Sequence, residues 1–188
     1  MPTYVALIRG INVGGRNKVA MADLRTVVAS LGHTDVSTYI QSGNVIFTAP
    51  DKDTTALATA LEQAIANELD VRPRVVVLSR DELAKVVDAN PYPDEPNPKL
   101  VHAIFLTEAP IAEQKKAVAA AEQKVRDKGS TDTATFVGRT LFLHTPGGFG
   151  TSELAAILSR SAGGKASTPA GTARNWATVT KLLALCDG

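Results

Sequence analysis

The residues best suited to chemistry lie in one glycine-rich stretch that follows the first apolar segment, Val5–Ile8. The candidate ligand contacts in it are Arg9, Asn12, Gly14, Gly15, Arg16, Asn17 and Lys18. Guanidinium and ammonium groups bind phosphate and carboxylate oxygens through charge-assisted hydrogen bonds, and glycine lets backbone amides approach an anion closely. An apolar strand pattern precedes the stretch and a helical pattern follows it, which predicts an anion-binding loop at the beginning of a helix.

The stretch does not match a standard nucleotide-binding motif. Four residues separate Gly10 from Gly15, but the Gly-Lys-Ser/Thr sequence of a P-loop does not follow. A Gly-x-Gly-x-x-Gly pattern is also missing from the stretch. An alternative interpretation is a structural loop whose glycines serve the backbone and whose cations pair with the chain's own carboxylates. The sequence leaves both interpretations open.

Two further polar clusters are candidates for ligand contacts. Ser42 and Asn44 belong to a Gln-Ser-Gly-Asn segment between two apolar runs, a composition typical of hairpin turns. Arg174 and Asn175 are expected at the start of the last helix, with Thr172 as its N-cap. If both halves of the chain contribute to one cleft, Arg174 faces it together with the first arginine of the loop.

Other chemistries are disfavoured. Cys186 is the only cysteine, so the chain can form neither an intramolecular disulfide nor a cysteine metal site. The three histidines lack zinc-binding spacing and are expected on the surface or in strands: His33, His102 and His144. Asp94 and Glu95 are adjacent carboxylates in a proline-rich segment and are expected to be solvated. We therefore expect no metal and no cofactor.

Composition indicates a globular protein. The 188 residues are 44% hydrophobic and 21% charged, with a net charge of +1, which excludes intrinsic disorder and disfavours general coating of nucleic acid. Cations are enriched in residues 1–25 and 151–188, so the middle of the chain is acidic. The first apolar run is too short for a signal peptide or a membrane span. The expected location is therefore the cytoplasm, away from membranes.

The order of predicted elements indicates an α+β fold. Residues 1–78 show the periodicity of strand, helix, strand, strand, helix, strand, which is the split βαβ order of ferredoxin-like folds. The order recurs after a segment rich in proline, and residues 167–172 are the expected last strand. We predict two ferredoxin-like subdomains in tandem, 1–89 with a short helix and 100–188 with a C-terminal helix, joined by a linker at 90–99.

Three motifs resemble a known family. Arg9–Gly15, Thr38–Val45 and Thr172–Trp176 are similar to segments of an uncharacterised bacterial family, the domain of unknown function numbered 1697. The resemblance spans the chain and implies two ferredoxin-like subdomains, with no established activity or catalytic residues. The family places a lysine just inside the helix after Gly150, where this chain has Glu153. The departure weakens any anion site at the glycine-rich segment 147–152.

RNA-recognition modules share this element order. They stack bases on aromatic side chains of the two central strands. In the first half, Tyr4 and Phe47 are the only aromatic residues on the strands expected to be central, and the characteristic Lys/Arg-Gly-Phe/Tyr motif is absent. Sequence-specific RNA binding is therefore disfavoured.

Three functions remain as hypotheses. The first is a binding module for a small anionic ligand, a nucleotide or another phosphate-bearing molecule, or a nucleic-acid phosphate, at the Arg9–Lys18 loop. The second is an enzyme acting on a phosphorylated or carboxylated small molecule. The third is a structural or interaction protein that binds no ligand and whose basic ends pair with its acidic middle.

Overall fold

The computed structural model describes residues 1–50, 53–161 and 171–188 of the protein. It divides into two compact units, Met1–Lys85 with Lys181–Gly188, and Val86–Thr180. The subdomain limits predicted from the sequence, with a linker at 90–99, stay a prediction. Of the predicted last strand, residues 167–170 lie outside the described residues.

The first unit contains a four-stranded antiparallel sheet with the strand order β2-β3-β1-β4. Its elements are β1 (Thr3–Arg9), α1 (Met21–Ser30), β2 (Thr34–Tyr39), β3 (Asn44–Thr48), α2 (Thr54–Leu69), β4 (Arg74–Ser79) and the beginning of α3 (Arg80–Asp88). The central strand β1 pairs with β3 as far as Leu7 opposite Asn44, and with β4 as far as Arg9 opposite Arg74. The end of β1 and the beginnings of β3 and β4 therefore lie at one edge of the sheet.

One core cluster of this unit lies on one face of β1. Tyr4, Ala6 and Ile8 are buried in a cluster that includes Leu24 of α1 and Leu61 of α2. Successive side chains of a strand alternate between its faces, so the side chain of the next residue, at position 9, belongs to the opposite face, which is also buried earlier in the strand. This alternation places the first arginine of the loop outside the cluster, where it is half-buried.

The aromatic side chains of the two central strands are part of this core. The rings of Tyr4 and Phe47 stack with their centroids 5.7 Å apart, and the two residues are 1% and 0% exposed. Neither ring is accessible to a nucleic-acid base, so the stacking platform of an RNA-recognition module is not present at these positions. His33 is also buried and stacks on Phe47 at 4.7 Å, so the expectation of a surface or strand position is wrong for this histidine.

The second unit repeats the arrangement, with the strand order β6-β7-β5-β8. Its elements are β5 (Val101–Leu106), α4 (Ala112–Arg126), β6 (Thr133–Val137), β7 (Thr140–His144), a 3-10 turn (Phe149–Thr151), α5 (Glu153–Ser161), β8 (Gly171–Asn175) and the beginning of α6 (Trp176–Cys186). Apolar residues of α4, β7 and α5 form its core, for example Val125, Leu141 and Leu154. The two sheets and the C-terminal helix confirm the α+β prediction of two ferredoxin-like subdomains.

The proline-rich segment packs against the second sheet. The Tyr92 hydroxyl lies 2.9 Å from Thr135 Oγ1 and accepts a hydrogen bond from Thr133 Oγ1 at 3.0 Å. His144 Nε2 lies 2.7 Å from Glu95 Oε2, and both side chains are largely buried. The expectation of a solvated carboxylate is therefore wrong for Glu95. The hydrogen bond from the Asn97 amide and the contact with His144 lower the pKa of this carboxyl below its ordinary value.

Candidate functional site

The loop between β1 and α1 is closed by a tight turn at its tip. Gly14 and Gly15 have φ angles of 58° and 75°, and the amide of Arg16 donates to the carbonyl of Val13 at 3.1 Å. Positive φ at both central residues is typical of a type I′ turn, which favours glycine. The two glycines that the sequence singled out therefore shape the tip of the loop, and both are exposed.

Two asparagines fix the body of the loop. The Asn12 side chain donates to the carbonyls of Val19 at 2.9 Å and Gln41 at 3.0 Å, and it accepts a hydrogen bond from the Val19 amide at 2.8 Å. The Asn17 side chain donates to the Gly10 carbonyl at 2.9 Å. Both asparagines have φ near +50°, a region that asparagine tolerates better than most residues. Their amide groups therefore position the loop.

The hairpin between β2 and β3 packs against the loop through Gly43. Ile11 is 1% exposed, and a Cβ placed on Gly43 would lie 2.8 Å from Ile11 Cδ1 and 3.0 Å from Ile8 Cβ. The amide of Ile8 donates to the Gly43 carbonyl at 2.8 Å. The loop thus rests on a hairpin residue that has no room for a side chain.

Asn44 and Ser42 close that hairpin. Asn44 is fully buried, and its Nδ2 donates to the Tyr39 carbonyl at 2.9 Å and to Ser42 Oγ at 3.0 Å. The side chain of Asn44 therefore serves the hairpin and has no exposed surface, and its contact with a ligand stays a prediction. Ser42 is half-buried beside it.

The cations of the loop lack a counter-charge within the part of the chain that the structure describes. Arg16 and Lys18 are exposed and Arg9 is half-buried. Among the residues that the structure describes, none of the three makes a salt bridge. Asp23 is the acidic residue in the first turn of α1, and no side chain caps that helix at Ala20. The negative charge of Asp23 complements the helix terminus, so the cations are the part of this region best suited to an external anion.

One cation of the same edge was missed by the sequence analysis. Arg74 begins β4 directly opposite Arg9, and its side chain is 74% exposed. Its Nη1 lies 3.7 Å from Glu62 Oε2, while Glu62 Oε1 accepts the Val75 amide at 2.9 Å. The signal was present, because the split βαβ order places the end of the first strand beside the start of the fourth.

The second cluster of predicted contacts lies in the other unit, and its local structure differs from expectation. Thr172 and Arg174 belong to β8, so Thr172 is not the N-cap of the last helix. Asn175 has that role, since its Oδ1 accepts the Thr178 amide at 2.8 Å. Arg174 is 9% exposed, and burial lowers the pKa of its guanidinium to about 10. The ligand contacts of Arg174 and Asn175 stay predictions; in this structure the first side chain is buried and the second caps a helix.

A carboxylate of the protein itself, that of Asp132, is hydrogen-bonded to the glycine-rich segment before α5. Ser152 Oγ donates to Asp132 Oδ2 at 2.7 Å and accepts the Ala155 amide at 2.9 Å. Asp132 is only 7% exposed. A backbone amide at the beginning of α5 is therefore hydrogen-bonded within the protein, which agrees with the weak expectation of an anion site at this segment.

In the described part of the chain, no helix combines the length and apolar composition needed to cross a bilayer.

Comparisons with known proteins concern the fold and the family. A family model described as "Protein of unknown function (DUF1697)" matches residues 1–142. A solved structure, that of the conserved bacterial protein SP0830 from Streptococcus pneumoniae, is 25% identical in sequence. The match covers 98% of each chain with a TM-score of 0.73. A search of curated proteins finds no match.

Proposed function

The chain belongs to the DUF1697 family, whose function is unknown, and we propose a function from the geometry of this structure. The protein is a binding module for a small phosphate-bearing anion, such as a nucleotide, and the loop of residues 9–18 is the binding site. The carboxyl end of β1 and the beginning of α1 hold this loop, and its two asparagines and the glycine turn fix its backbone. A loop fixed in this way loses little further entropy when a ligand binds.

The observation that carries the proposal is the state of the loop cations. The structural alternative predicts salt bridges from Arg9, Arg16 and Arg174 to the chain's own carboxylates. Within the described residues, the two arginines of the loop, Arg9 and Arg16, make no salt bridge. Lys18 is likewise exposed and without a salt bridge there. Three unpaired cations in one fixed loop favour an external anion over an internal partner.

The test is a thermal-shift screen with inorganic phosphate, ATP, glucose 6-phosphate and a short oligonucleotide. A ligand at 100 times its Kd adds about 2.7 kcal/mol of stability. For a chain of this size, each kcal/mol raises Tm by about 2–4 °C, so we expect a shift of about 5–11 °C. The shift should shrink as salt is added, because ions screen exposed charges.

A matched pair of double variants identifies the site. R16A/K18A removes two exposed cations from the loop, and K115A/K116A removes two exposed cations from α4. We expect the loop variant to lose the ligand shift while keeping the ligand-free Tm, and the α4 variant to keep both. If no probe shifts Tm, or if both variants respond alike, the proposal is wrong.

A further inference from the structure

Arg74 adds a further cation to the edge of the first sheet where β1 ends, and it changes the kind of anion that this edge can bind. Arg9 and Arg74 are register partners at the ends of β1 and β4. Directly opposed residues of an antiparallel pair have Cβ atoms about 4.5–5.5 Å apart and project from the same face of the sheet. The two side chains therefore leave the backbone at neighbouring positions, on the face opposite the core cluster, and the Arg74 guanidinium reaches Glu62 of α2.

This pair of like charges is unfavourable in the absence of a ligand. Like charges directly opposite on neighbouring strands are destabilising. The described residues give Arg9 no salt bridge, and the Arg74 contact with Glu62 is long at 3.7 Å, with the Arg74 side chain 74% exposed. The Glu62 carboxylate also accepts the Val75 amide. The protein thus maintains two arginines in register, and the only internal counter-charge among the described residues is this long contact of Arg74.

The remaining loop cations lie next to this pair along the backbone. The hydrogen bond from Asn17 Nδ2 to the Gly10 carbonyl folds the loop back onto the end of β1. Arg16 and Lys18 flank Asn17, and Gly10 follows Arg9 directly. The edge therefore carries two sets of cations, the strand pair and the loop pair, joined through one hydrogen bond.

We infer that this edge binds a diphosphate group, with Arg9 and Arg74 as a two-armed clamp on one phosphoryl group and Arg16 with Lys18 on the other. The inference rests on the proposed function and deepens it by adding Arg74 and by naming the ligand chemistry. Guanidinium groups bind phosphoryl oxygens bidentately, so two of them can share one phosphoryl group. Inorganic pyrophosphate and a nucleoside diphosphate both present this chemistry.

The experiment is calorimetric titration of the full chain with inorganic phosphate, pyrophosphate and ADP at low ionic strength. We expect pyrophosphate to bind more tightly than phosphate, because only pyrophosphate reaches both sets of cations. If ADP and pyrophosphate bind with equal affinity, the protein recognises the diphosphate group alone. If ADP binds more tightly than pyrophosphate, the protein also contacts the nucleoside. Both results support the inference. Weaker binding of pyrophosphate than of phosphate overturns it.

Variants separate the clamp from general electrostatics. R9Q and R74Q should each weaken pyrophosphate binding by roughly tenfold or more, as expected for loss of a charge-assisted hydrogen bond, and K115Q on α4 should not. Because both arginines hold one phosphoryl group, R9Q/R74Q should lose less affinity than the product of the two single losses. R9Q should also keep or raise the ligand-free Tm, since it removes a repulsion.

Failure of this inference differs from failure of the proposed function. If R16A/K18A abolishes phosphate and pyrophosphate binding while R74Q behaves like K115Q, the clamp is wrong and the loop site stands. If the losses of R9Q and R74Q multiply in the double variant, the clamp is also wrong, because the two residues then act independently. If the wild type binds neither phosphate nor pyrophosphate nor ADP, both proposals are wrong.

Discussion

Replacing Gly43 by alanine tests whether the hairpin supports the loop as described. The added Cβ would lie 2.8 Å from Ile11 Cδ1, 3.0 Å from Ile11 Cγ1 and 3.0 Å from Ile8 Cβ. Ile11 is 1% exposed and belongs to the core cluster of the first unit. The Ile8 Cβ is fixed by the backbone of β1, so the clash cannot be relieved by a side-chain rotation alone.

The expected cost has two parts. A residue with a side chain loses roughly 1–2 kcal/mol in the left-handed region, and Gly43 has a φ of 83°. Overpacking a tight interior costs roughly 1–3 kcal/mol in addition. G43A should therefore lower the free energy of unfolding of the first unit by roughly 2–5 kcal/mol. Because the loop rests on this hairpin, ligand binding should weaken as well.

Gly32 provides a control with the same backbone conformation. Its φ is also 83°, but a Cβ there would have no atom within 4 Å. G32A should therefore cost only the backbone part, roughly 1–2 kcal/mol. Native-state hydrogen exchange of the amides in β1 and β3 measures both losses within this unit. If G43A costs no more than G32A, the close packing of the hairpin under the loop is wrong.

Three further outcomes are expected. Burial lowers the pKa of His102 from 6.5 to about 4. Between these two pH values the imidazole is protonated in the unfolded chain but neutral in the folded protein, so Tm should fall as the pH is lowered from 6.5 to 4. In a pH series of thermal melts, H102Q should show a smaller fall than the wild type. G171A would place a Cβ 2.8 Å from the Phe105 carbonyl oxygen, so urea denaturation should show a loss of roughly 1–3 kcal/mol, whereas G147A, with no atom within 4 Å, should be nearly silent; equal losses would refute the packing at β8. Burial raises the pKa of the Cys186 thiol to about 11, so iodoacetamide should label it far more slowly at pH 8 in the folded protein than in urea by mass spectrometry, and equal rates would contradict the burial.

The glycine-rich loop was predictable in part. Adjacent glycines at positions 14 and 15 predict a tight turn from local backbone preference, and the turn is present. The sequence also predicts Asn12 and Asn17 as ligand contacts, and in the structure their side chains hold the loop. Amide groups suit both roles, and only the positions of the Val19, Gln41 and Gly10 carbonyls decide between them.

Several positions depended on neighbours that are distant in sequence. The sequence predicts Arg174 at the start of the last helix, but it lies in β8 and is buried. The sequence predicts a solvated carboxylate at Glu95, but His144, 49 positions away in the chain, contacts it.

Local sequence was enough to predict the order of strands and helices, the α+β class and the tight turn of the loop, because periodicity and backbone preference depend on residues a few positions apart. It was not enough to predict that Arg74 is paired with Arg9, that Gly43 packs against Ile11 or which polar side chains serve the fold. Strand register and packing are set by contacts between distant segments. The cations of the loop are therefore visible in the sequence, but Arg74 joins them only because β4 pairs with β1.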